Sequence, residues 1–194
     1  LNNKGDTMVI TEIINAVKAG QLDEKLTALY GDDALASQKV RYEEVLSKAK
    51  DLLGDKEAHI FSAPGRTEVG GNHTDHQLGR VVAASIDLDV IAVVVPTDDS
   101  IVTYHAKGFS VSTVDLHNLE INEAEKNTTE SLIRGIAAGF TKKGYKVGGF
   151  KAYSESNVLS GGGMSSSAAF EVLIGTIFSH LYNDAAISSE EIAK

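Results

Sequence analysis

A chain of 194 residues is long enough for one sizeable core and part of a second. Its 42% hydrophobic and 23% charged residues are ordinary for a folded soluble domain, and a formal net charge of −9 leaves no basic excess to grip nucleic acid or an anionic membrane. It has no cysteine, hence no disulfide framework, no thiolate metal site and no cysteine nucleophile, which suits a reducing cytoplasm.

Taken in order, Leu1 to Asp6 read as a polar end. Thr7 to Ala19 carry apolar residues at helical spacing (Met8, Ile10, Ile13, Ile14, Val17) and stop at Gly20. Leu22 to Leu29 predict a short second helix and Ala34 to Leu53 a third, finishing at Gly54. None of the three shows chemistry, and packing is their expected role. His59 to Ala63 predict a short strand ended by Pro64. Val81 to Val95 read as two apolar, β-branched segments, and Asp87 and Asp89 break the run so that nothing there spans a membrane. Further strands are predicted at Ile101 to His105, Phe109 to Val114 and Gly148 to Ser154, with an amphipathic helix over Ser131 to Lys143. Ser188-Ser189-Glu190-Glu191 look like the opening of another helix just before Lys194, so the chain is expected to be a fragment of a longer polypeptide. Helices, a β-rich middle and then helix–strand–loop–helix make a mixed α/β, or α+β, domain.

Two stretches stand apart. The first is Asn157-Val158-Leu159-Ser160-Gly161-Gly162-Gly163-Met164-Ser165-Ser166-Ser167-Ala168-Ala169, between a strand and a long apolar helix. Three contiguous glycines permit positive φ and leave no side chain to keep a ligand from the backbone amides. Serines at the helix start add hydroxyls and capping oxygens to unpaired N–H groups, and the helix dipole adds partial positive charge. An anion such as a phosphate is the natural guest. The stretch is not a Walker A loop, because no lysine follows the glycines, and not a G-x-G-x-x-G fingerprint, because the glycines are contiguous.

The second is Pro64-Gly65-Arg66-Thr67-Glu68-Val69-Gly70-Gly71-Asn72-His73-Thr74-Asp75-His76. Singly, its Asn, Asp and His are ordinary solvated turn residues. Together they make a dense set of donors and acceptors beside a strand, which is what recognition of a hydroxyl-rich ligand requires. A metal is the less fitting guest, since His73, Asp75 and His76 match neither H-E-x-x-H nor a Cys/His framework. Acyl transfer lacks a G-x-S-x-G elbow.

The two stretches resemble known motifs. Pro64-Gly65-Arg66 through Asn72-His73-Thr74-Asp75 is similar to the galactokinase signature, and Gly161 to Ala168 to the ATP loop of the GHMP kinases. Gly144 to Phe150 and the prologue around Leu29-Tyr30-Gly31 also resemble that family, so the likeness covers nearly the whole chain. It implies the GHMP kinase N-terminal domain, an α+β fold of the ribosomal protein S5 domain 2-like class, over 1–194, with a helical prologue over 1–55 and the sugar-signature and ATP-loop region over 59–194. The C-terminal domain is expected to be largely absent.

The resemblance further implies transfer of the ATP γ-phosphoryl group to the anomeric C1 hydroxyl of galactose. Arg66 would lie beside the reacting hydroxyl and stabilise the transition state, and Asn72, His73 and Asp75 would bind the sugar with it. Gly161, Gly162, Gly163, Met164, Ser165, Ser166 and Ser167 would wrap the ATP phosphates, and Ser166 would help hold Mg²⁺. The catalytic aspartate would lie past Lys194, so the fragment alone is expected to be inactive. Galactose and ATP are the expected partners, without nucleic acid or membrane. Departures from the pattern are Asn72 for Glu, His76 for Tyr, Glu68 for Asn and Leu159 for the loop's leading proline. Asn72 leaves open a kinase of a related sugar such as N-acetylgalactosamine, and the aspartate expected past Lys194 leaves open a catalytically silent galactose/ATP sensor.

Overall fold

A computed structural model describes residues 8–71, 74, 78–158 and 163–193. The chain opens with a short strand β1 (Met8–Val9), then helices α1 (Ile10–Lys18), α2 (Asp23–Tyr30) and α3 (Leu35–Leu53). The helix expected from Thr7 starts at Ile10 instead, because Met8 and Val9 pair with Ala58 and Glu57. Carboxylates then meet the positive end of α1: Glu12 accepts from the Val9 N–H at 3.1 Å and Asp55 from the Thr11 N–H at 2.8 Å.

Strands β2 (Glu57–Gly70), β3 (Val82–Pro96), β4 (Ile101–Ala106) and β5 (Ser112–Asp115) follow. Helix α4 (Thr129–Lys142) leads to β6 (Phe150–Ser156), α5 (Ser166–Tyr182) and a terminal turn of helix, α6 (Ser189–Ile192). The six strands form one sheet in the order β1-β2-β3-β6-β4-β5, antiparallel throughout except for the parallel pair β4 and β6.

Two expectations are corrected here. β2 does not end at Pro64 but runs on to Gly70, with its register shifting between Pro64 and Arg66. Proline is tolerated because it sits at a bulge, on a strand whose outer edge beyond Ala58 has no strand partner among the described residues. The two segments expected over Val81 to Val95 are likewise one continuous strand, β3, since Asp89 stays in register opposite Pro64.

Period-two alternation sends each half of the apolar runs to a different face. Ala58, Ile60, Ile91, Val93 and Val95 pack under α1–α3, while Phe61, Ala63, Val90, Ala92 and Val94 pack under α4 and α5. The middle of β3 is therefore buried on both faces, which is why it reads as uninterrupted Val, Ile and Ala. Phe178 of α5 centres the second core, with ring centroids 5.7 Å from Phe140 and 5.8 Å from Phe150. No helix among the described residues is long and apolar enough to cross a membrane.

Candidate functional site

The two stretches singled out in the sequence, nearly a hundred residues apart, meet at Gly65 and Arg66. The backbone N–H of Arg66 donates to the carbonyl of Met164 at 3.1 Å. A Cβ placed on Gly65 would lie 3.1 Å from that carbonyl, from Val158 Cγ1 and from Ile86 Cδ1. Val158 and Met164 flank the glycine loop, so both of its feet rest on the Pro-Gly-Arg segment. Glycine suits position 65, because a side chain there would crowd one backbone carbonyl and two side chains, each of which would have to give by a few tenths of an ångström.

Past the loop, Gly163 (φ +72°) and Ser165 (φ +54°) take left-handed conformations and aim the chain into α5. The sequence led us to expect a serine cap here, and the structure differs. Thr128 and Ser188 cap α4 and α6 through their hydroxyls, at 3.3 Å and 3.2 Å, but Ser165, at the corresponding position of α5, makes no such bond. Its left-handed backbone turns the side chain away from the helix. The first-turn amides and the hydroxyls of Ser165, Ser166 and Ser167 have no partner among the described residues. Ser165 and Ser166 are half-buried, and Gly163 and Ser167 exposed.

Beside the start of α5 lies a cavity of about 460 Å³ between β4, β6 and α4. Tyr104, Phe109, Leu132 and Phe170 supply an apolar lining, and Lys107 and Ser166 reach it from the rim. Tyr104 and Phe170 stack edge to face at 5.1 Å. The Tyr104 hydroxyl is buried opposite Ser154 without a well-formed hydrogen bond, and burial pushes its pKa up. Lys107 is held by Glu155 at 2.7 Å, which raises the lysine pKa and keeps it charged. A flat, partly polar group would fit this cavity, next to an anion at the amides of α5.

Of the expected site residues, Arg66, Gly163, Met164, Ser165, Ser166 and Ser167 fall in this region. Asn72, His73, Asp75, Gly161 and Gly162 lie outside the described residues. The Arg66 side chain is half-buried. Among the described residues no cluster of three or more His, Cys, Asp or Glu forms a metal site.

Comparison with known proteins adds to the geometry. Residues 50–96 match the galactokinase galactose-binding signature, and residues 131–194 match the GHMP kinases N terminal domain. The chain belongs to the GHMP kinase family. A galactokinase of Lactobacillus helveticus is 33% identical over 144 residues, 73% of this chain and 37% of that relative. The galactokinase of Lactococcus lactis, solved with galactose, superposes with a TM-score of 0.70 at 26% identity, over 79% of this chain and 40% of that one. The mevalonate kinase of Methanococcus jannaschii shares the fold at a TM-score of 0.58 and 19% identity, over 70% of this chain and 44% of that one. The chain thus spans under half the length of these relatives. The two family matches meet in space at the Arg66–Met164 contact, since one covers Arg66 and the other Met164.

This GHMP kinase chain also has a polar junction that the sequence reading missed. Asp89 is fully buried and accepts from Arg41 Nη1 at 2.7 Å, from Tyr30 Oη at 2.5 Å and from Ser62 Oγ. Tyr30 spends its proton on Asp89, so the Tyr42 hydroxyl, 2.9 Å away, donates to Tyr30. Burial and the Asp89 charge push the Tyr30 pKa up to about 12, and burial raises Tyr42 as well. The signal was available: a carboxylate inside an apolar strand is rarely buried unless paired. Its partner, however, comes from α3 and follows no local pattern.

Proposed function

We propose that this chain carries the sugar- and nucleotide-binding part of a galactokinase, an ATP-dependent enzyme that phosphorylates galactose at C1 to give galactose 1-phosphate and ADP. The observation that carries the reading is the contact between Gly65-Arg66 and Met164. It sets the galactokinase signature strand against the loop before α5, so that a sugar on the one and a phosphate on the other share a boundary.

The residues suit the reactants. Free amides and hydroxyls at the start of α5 fit phosphate oxygens, and nothing lies within 4 Å of the place a Cβ would take on Gly163. The cavity lined by Tyr104 and Phe170 fits the nucleobase. The loop residues Gly161 to Ser167 are assigned to the ATP phosphates. Ser166 is assigned to Mg²⁺, which keeps most of its shell as water and phosphate oxygens and so needs no dedicated protein cage. Phosphoryl transfer is catalysed chiefly by positioning and by charge stabilisation. Arg66 is assigned the second task at the reacting hydroxyl, and Asn72, His73 and Asp75 the binding of the sugar. An ATP-supplied compartment such as the cytoplasm suits the reaction.

The test is ATP consumption by the full-length protein against galactose, N-acetylgalactosamine and glucose, with the product located by phosphorus–carbon coupling. Galactose-dependent turnover with phosphate on C1 is the expected result. Turnover on N-acetylgalactosamine alone would reassign the sugar, and binding of galactose and ATP without turnover would replace the kinase by a sensor.

A further inference from the structure

We infer that Arg41, on a helix that carries no motif, is a positioning residue for phosphoryl transfer: through Asp89 and Asn157 it fixes the junction on which both feet of the glycine loop stand. The inference rests on the kinase reading above. Three strands come together at this junction. β2 contributes Ser62 and Pro64, β3 contributes Asp89 opposite Pro64, and β6 ends at Ser156 opposite Val90. One residue further, the Asn157 N–H donates to the Asp89 carbonyl at 3.0 Å, the last bond before the chain leaves the sheet for the glycine loop.

The Arg41 guanidinium reaches all of this from α3. Nη1 holds the Asp89 carboxylate at 2.7 Å and Nη2 its carbonyl at 3.2 Å. With the Asn157 amide oriented so that both of its ends are satisfied, its oxygen accepts from Arg41 Nη1 at 3.3 Å and Nε at 3.2 Å. A planar, five-donor group is suited to such multiple contact, whereas an ammonium is a point charge. The next residue after Asn157 is Val158, which packs on Gly65, and Gly65 precedes the Arg66 N–H that holds Met164. A chain of contacts therefore runs from Arg41 through Asn157 and Val158 to the sugar strand and the far foot of the loop. Releasing Arg41 frees the near foot of the loop while the sheet interior stays packed.

A stabilising role alone would require only a satisfied junction, and this difference decides the test. In the full-length protein, Arg41→Met with Asp89→Asn removes both charges together and leaves an amide for Ser62 and Tyr30, so neither charge is stranded. Native-state hydrogen exchange needs no substrate. We expect the Arg66 and Asn157 amides to exchange about tenfold faster than in the parent, with Val93 in mid-strand unchanged. Parent-like protection at both amides overturns the inference. Steady-state kinetics gives the second readout: about tenfold lower kcat/KM for sugar and for ATP at an unchanged melting midpoint. Parent kinetics at that midpoint would make the pair merely structural. A parent without galactose-dependent turnover sinks the kinase reading alone, and the exchange data still decide on Arg41. Arg41→Lys keeps the charge but not the fork and is expected to hold the parent midpoint with only part of the protection. It also carries the exchange test if the double variant does not fold.

Discussion

The β2–β3 hairpin has two halves of similar composition and opposite environment. Near the helices, His59 to Pro64 pair with Asp89 to Val94, and Ile91 and Val93 are fully buried. Beyond the register shift, Arg66 to Gly70 pair with Val82 to Ser85, and Val69 and Val82 are 68% and 64% exposed. Strand propensity does not separate them, because valine and alanine occupy both. What separates them is cover: α1–α3 and α5 clothe one half on both faces and stop at the other. The first half is core, and the second is an uncovered strand pair that leads into the signature stretch. The Asp89 junction sits at the border, where a satisfied polar cluster ends the core without stranding a charge.

The largest expected effect breaks the comparison cleanly. Arg66→Ala, just past the border, is expected to lower galactose-dependent kcat of the full-length protein by about a thousandfold, the order seen when an arginine is lost from a phosphoryl transition state. Its unfolding free energy should stay within about 0.5 kcal/mol of the parent, as for other side chains outside the core. A protein that unfolds instead would mean that Arg66 belongs to the core half. On the other side of the border, Ile91→Ala is expected to cost about 2–5 kcal/mol in chemical unfolding, from lost burial plus the cavity left behind. Val82→Ala, on the same strand but uncovered, should again stay within about 0.5 kcal/mol. Equal costs for the two would show that the distal half is covered in solution.

The border also marks how far the sequence could be read. The α+β class, most of the elements and the two stretches of the candidate site were legible because each depends on neighbours in the chain: a glycine run, serines at a helix start, period-two runs. The length of β2 was not, since Pro64 is a local stop signal that only the bulge and an open strand edge override. The Ser165 cap was not, because a left-handed backbone removes the oxygen that the residue type promised. Arg41 and Tyr42 read as packing residues, because Asp89, which Arg41 holds directly and Tyr42 reaches through Tyr30, lies 48 residues from Arg41 and is brought near only by the fold. The same holds for Gly65. Its glycine identity was visible, but the carbonyl of Met164 that packs against it was not.

The smallest expected effect concerns the outer edge of the covered half. His59 lies beside a cavity of about 240 Å³ that also takes in His180 from α5 and Asp87 and Asp89 from β3. Phe61 is stacked edge to face on His180 at 5.6 Å. Burial, with His180 adding to it and Glu57 opposing, lowers the His59 pKa below its ordinary value. A lowered pKa means that the unfolded chain binds the proton more readily, so stability rises with pH through this group. Its contribution is complete above about pH 6.5, the unperturbed histidine value, and is lost as the pH falls through the lower folded value. His59→Gln is therefore expected to flatten the loss of unfolding free energy between about pH 7.5 and pH 5, while the other histidines act alike in both proteins. If parent and variant lose stability in parallel, His59 is solvated, and the cover that defines the inner half of the hairpin ends short of its open edge.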